Sequence, residues 1–139
     1  MKKRKIYEFD PQIYPTRLWV AINPSLDDVK DVFGFLDEDG KEVNTDTAFT
    51  HSASTIAQTY SVYNKESHWK GCFVAIWRKA DTGCGVISHE TSHCADWLDD
   101  EIGGLGGVDG ALFNTGEPRA YYVQWLAEKI EDVLKGRAK

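Results

Sequence analysis

The spacing of apolar and polar positions changes several times along the chain, and each change marks an element. "KIYEFD" (5–10) and "TRLWVAIN" (16–23) are rich in β-branched and aromatic residues on either side of a proline-containing turn, and predict two strands. In "SLDDVKDVFGFL" (25–36), Leu26, Val29 and Phe33 share a helical face. Ser25 with Asp28 three residues on approximates a capping box, so a short helix is expected there. "DEDGKE" (37–42) has Asp-Gly at its centre and reads as a solvated turn, its acidic cluster too short and wrongly spaced for a calcium loop.

Residues 46–63 are rich in Thr, Ser and Tyr, and alternate loosely from Ser54 to Tyr63. "NKES" (64–67) then turns the chain into "HWKGCFVAIWRK" (68–79), which predicts an antiparallel hairpin. Phe73 to Trp77 are apolar on both faces, as an interior strand requires. From Asp81 to Ile102 the period becomes helical, with Asp81 or Thr82 as the cap and Gly103-Gly104 as the expected stop. A loop with six glycines spans 103–116. Pro118 then opens a second helix to about Lys135, with Val123, Leu126, Ile130 and Leu134 at helical spacing. There is no repeat and no linker, so the reading is one α+β domain over residues 1–139.

Composition narrows the partners. With 42% hydrophobic residues and five Trp, the chain has the material for a core without a metal or disulfide staple. A net charge of −6 argues against a nucleic-acid or anionic-membrane surface, which would be basic. The basic run "MKKRK" lacks the apolar stretch of a secretory signal, and no segment approaches the about 18 apolar residues of a membrane span. Cys72, Cys84 and Cys94 are odd in number, irregularly spaced and without a CxxC pair, so they read as reduced, inert thiols in a cytoplasmic protein. His51 and His68 read as surface or polar-network residues.

The chemistry lies in "ISHETSHCAD" (87–96), which contains His89-Glu-Thr-Ser-His93. On a helix, residues i and i+4 share a face, so both imidazoles can aim at one zinc ion at about 2.0–2.1 Å. Glu90 falls beside that point, placed to take a proton from a water activated there. The bland alternative is two surface histidines four apart. A chance match in a chain this long is on the order of one in a few hundred. Catalytic zinc needs a third ligand from another element. Glu117 in "GEPRAYYVQWL" (116–126), at the start of the second helix, offers one, and Ala120 is small enough for that helix to approach. A glutamate there is also favoured by the helix macrodipole alone.

With both segments, "VISHETSHCADWL…GEPRAYYVQWL" resembles the zincin metallopeptidases of the gluzincin type, in which HExxH is followed by a helix carrying Glu-x-x-(Ala/Ser/Asp). It also looks like small phage-type HExxH proteins, in which a sheet precedes the motif helix and a Glu-x-x-Ala-Tyr helix closes the chain. The resemblance covers residues 86–126, under a third of the chain. It implies a zincin-like fold: a small antiparallel or mixed sheet packed on a motif helix and a C-terminal ligand helix. It implies one Zn2+ per chain on His89, His93 and Glu117, with Glu90 as the catalytic carboxylate. Tyr121 stands where the larger gluzincins often carry an Asp that orients a ligand histidine; Asp96, on the ligand face, is expected to fill that role. Tyr121 and Tyr122 are candidate oxyanion donors or packed aromatics.

The expected function is a zinc-dependent hydrolase, a peptidase acting on a peptide or protein. Nucleic acid and membrane are not expected partners, and the oligomeric state is left open. An extended substrate is expected to pair with strand 68–79 or an edge strand beside it, in a shallow groove. The alternative is a non-catalytic module in which zinc braces the two helices. Structural zinc sites are usually closed by four protein ligands rich in Cys, which favours the hydrolase.

Overall fold

The computed structural model describes residues 3–106 and 116–139, with backbone only for 103–106. Strands β1 (Tyr7–Phe9) and β2 (Arg17–Ile22) come first, followed by helix α1 (Leu26–Val29) and strands β3 (Phe33–Leu36) and β4 (Glu42–Val43). Helix α2 (Thr45–Ala48) leads into the hairpin of β5 (Ala57–Asn64) and β6 (Lys70–Ile76). A 3-10 turn at Lys79–Asp81 precedes the long helices α3 (Cys84–Gly106) and α4 (Glu117–Leu134). The fold is α+β, built on one six-stranded mixed sheet in the order β1-β2-β6-β5-β3-β4. Only β2 and β6 pair in parallel, from Arg17 opposite Gly71 to Ile22 opposite Ile76.

Alternation along the central strands gives the sheet two apolar faces. Leu18 and Val20 of β2 and Val74 and Ile76 of β6 pack under Leu98 of α3 and Leu126 and Ile130 of α4. The opposite face is aromatic: Trp19, Phe33, Phe35, Tyr60 and Phe73 meet Val29 of α1 and Phe49, just after α2. Burial of each such side chain contributes about 1.5–3 kcal/mol. Arg119 meets Asp96 at one end of the helix pair, while Ile130 and Ile87 line one small internal gap at the other. The two long helices are therefore antiparallel.

Four expectations change. "FGFL" is β3, not the end of a helix: α1 stops at Val29, and Phe33 and Phe35 are buried on one face with the period of a strand. Gly103 and Gly104 do not stop α3, which runs on to Gly106, since glycine weakens a helix without forbidding it. Neither Asp81 nor Thr82 caps α3; both turn back to Arg78, the first by an ion pair and the second through its hydroxyl. Strand β4 and helix α2, both very short, arise where no periodic signal could develop. Of the expected glycine loop, residues 107–115 lie outside the described residues.

Candidate metal centre and cleft

His89 and His93 leave α3 on the same exposed face, and their Nε2 atoms approach to 3.2 Å. Two nitrogens bound to one tetrahedral zinc at 2.0–2.1 Å stand about 3.3 Å apart, so the two imidazoles already span one edge of such a site. In this contact one ring nitrogen donates and the other accepts, the roles being set by the tautomer. The two rings stand nearly perpendicular, at 82°, so both nitrogens converge without stacking.

Glu90 follows His89 and is turned about 100° around the helix, towards the sheet. Its side chain is 5% exposed, an unusual burial for a carboxylate. The Thr59 hydroxyl donates to Oε1 at 2.9 Å, while the second carboxylate oxygen takes no hydrogen bond from the described residues. Thr59 reaches it because β5 presents Ala57, Thr59 and Ser61 towards α3, where β2 and β6 present Leu, Val and Ile. Small polar side chains at these positions leave a hollow beneath the motif helix.

That hollow is a cavity of about 970 Å³, lined by His89, Glu90 and His93 on one side and by the β3–β4 turn on the other. Its floor is β5. The β3–β5 ladder ends where Phe35 faces Val62, so from Ala57 to Ser61 the strand has β6 on one edge and no described strand on the other. Strand β6, between β2 and β5, has both edges taken and offers no free ladder to a substrate. Among the described strands, the edge open to the cavity is that of β5.

Cys72 also lines the cavity, but its thiol is hydrogen-bonded to Cys94 and fully buried, and both effects push it well above the usual thiol range. It is a neutral packing group there, not a thiolate ligand. Cys94 is buried with it, whereas Cys84 is exposed at the first turn of α3.

The remaining site candidates occupy different ground. Glu117 is exposed at the start of α4, and among the described residues no group of three His, Cys, Asp or Glu side chains gathers as a metal site. Asp96 accepts from the Arg119 guanidinium at 2.7 Å rather than from either histidine. Tyr122 is buried against Tyr14, 5.4 Å away edge-on, and burial raises its phenol far above the usual value; it belongs to the core. Tyr121 is 66% exposed, and neither tyrosine lines the cavity. His51 stacks on Trp77 and His68 is exposed in the β5–β6 turn.

Two features escaped the sequence reading. Thr59 sits in a loosely alternating strand, where nothing singles it out as the partner of Glu90. The acidic turn at 37–40, read as merely solvated, forms a wall of the cavity. Among the described residues, no helix is long and apolar enough to cross a membrane. Comparison with protein-family models, curated proteins and solved structures finds no match to this chain.

Proposed function

We propose that the chain is a zinc-dependent peptidase of zincin-like type, with His89, His93 and Glu117 holding one Zn2+ and Glu90 as general base. The observation that carries this reading is the Glu90 carboxylate, held by Thr59 beside two convergent imidazoles in one cavity. A carboxylate fixed at one oxygen beside two metal-ligating side chains is placed as a general base must be. Glu117 is the proposed third ligand because the Arg119–Asp96 pair ties the first turn of α4 to α3, one turn beyond His93.

When bound, the ion would acidify an attacking water and polarise the scissile carbonyl. Glu90 accepts the proton as the water attacks the carbonyl carbon, and returns it to the amine as the C–N bond breaks. Thr59 fixes Oε1, which leaves the other oxygen facing the cavity to do this work. The β5 edge from Ala57 to Ser61, which no described strand pairs, orients the substrate by accepting an extended peptide as an added strand. A zinc-braced scaffold has less support, since structural zinc sites are rich in Cys and two of the three cysteines, Cys72 and Cys94, are buried and hydrogen-bonded to each other.

Glu90→Gln keeps the size of the side chain and removes the proton acceptor. Against a broad peptide library read by mass spectrometry, the variant should cleave at least about 10²-fold more slowly, with unchanged zinc content and melting temperature. Equal cleavage by the variant, or an inert wild type across the whole library, overturns the proposal.

A further inference from the structure

The cleft is acidic on both walls. Glu38 and Asp39 of the β3–β4 turn line it on one side, Asp100 and Glu101 of α3 on the other, with Glu90 between them. Among the described residues no Lys or Arg lines it, and none of these five carboxylates forms an ion pair. Carboxylates lining one cleft make its potential negative and favour a cationic ligand there.

A single further metal ion does not answer this arrangement, because among the described residues no three of these carboxylates gather closely enough to hold one. The charges are spread along the cleft instead. From His93 to Asp100 is about 10 Å along α3, the reach of about three residues of an extended chain. Trp97 lies between them on the same wall, an indole against which the stem of a Lys or Arg can pack. A separate observation points to what enters: the β5 edge from Ala57 to Ser61, on the floor of the same space, has no described strand beside it.

The geometry points to an extended peptide bearing Lys or Arg, about three residues to one side of the bond held at His89 and His93, as the ligand of this cleft. The position of that bond rests on the peptidase reading; the basic character of the ligand rests on the walls.

Binding separates the two. The test uses the full zinc-loaded chain carrying Glu90→Gln, so that nothing is cut. Its probes are fluorescent octapeptides identical except for two central Lys/Arg, Gln or Glu residues, read by anisotropy. The basic peptide should bind at least about tenfold more tightly than the Gln peptide, and this advantage should shrink with added salt. Glu38→Gln/Asp39→Asn on one wall and Asp100→Asn/Glu101→Gln on the other should each reduce it at least about threefold. The first pair sits in an exposed turn, so a folding defect in the second would leave a usable variant. Equal binding of the three peptides overturns the inference, and so does spermidine binding as tightly as the basic peptide. Basic peptides bound but never cut by the wild type would sink the peptidase and leave this ligand class standing. Neutral and acidic peptides cut as fast as basic ones would do the reverse.

Discussion

The Thr59 hydroxyl donates to Oε1 of Glu90 at 2.9 Å, joining the floor of the cleft to the carboxylate of the motif helix. Because the carboxylate is buried, this bond decides which oxygen remains open. Thr59→Val keeps the shape and removes the donor, which should cost about 1–2 kcal/mol of stability. Cleavage should fall about tenfold at unchanged zinc content, and Thr59→Ser should restore most of it. Wild-type rates in the Val variant would mean that the bond plays no part in orienting Glu90.

The 3.2 Å approach of the two imidazoles leads to an expectation about metal. Elemental analysis should find about one zinc per chain, and His93→Ala should lose most of it. The core is apolar on both sheet faces without any ion, so the chelated protein should keep its circular dichroism. Loss of fold on chelation would move the site from catalysis to bracing.

Asp28 gives a pH dependence with a definite sign. Burial pushes its carboxyl up, but hydrogen bonds from the backbone N–H of Ser25 and Arg4 and from the Ser25 hydroxyl, helped by the Arg4 charge, outweigh burial. The net effect holds it below the ordinary carboxylate value. A lowered folded value means that the unfolded chain takes up the proton first as pH falls. The stabilisation is therefore complete above about pH 4 and is lost as pH drops through the folded value. Asp28→Asn should cost about 1 kcal/mol at neutral pH and flatten the acid limb of a stability-versus-pH curve. An unchanged acid limb would assign the acid sensitivity elsewhere.

Gly71 lies opposite Arg17 in the parallel ladder, and a methyl group there would collide with the main-chain carbonyl oxygen of Arg17. Backbone cannot swing aside as a side chain can. Gly71→Ala should therefore lower stability by on the order of 3 kcal/mol, seen as a fall of on the order of 10 °C in melting temperature. A shift within about 2 °C would show that the two strands can separate locally without cost.

Both long helices, the hairpin and the first two strands were legible in the sequence because each carries a sustained period. So was the motif triplet, since its spacing is a property of any helix. What the sequence hid follows from the same physics. Phe33 satisfies a helical and a strand period equally well, and only its partner Phe35 breaks the tie. Thr59 matters through a contact 31 residues away, and the cleft needs the 37–40 turn brought back against α3 by the β3–β5 pairing. Asp96 is on the expected helix face, yet Arg119, which follows the glycine-rich loop, takes it first.

The parallel pairing of β2 with β6 also sets an order of events as the chain folds. Residues 57–106 hold the hairpin and the motif helix as neighbours in sequence, so their contacts close over short loops. Arg17 must find Gly71 across more than fifty residues, and slow, late closure is the usual fate of such distant pairings. The two imidazoles and Glu90 can therefore approach their final spacing while the neighbouring slot along β6 is still empty. A chain delayed at that point would carry the formed hairpin and motif helix beside an unpaired apolar strand edge, which makes the arrival of β2 the step that protects the nascent protein from its own kind.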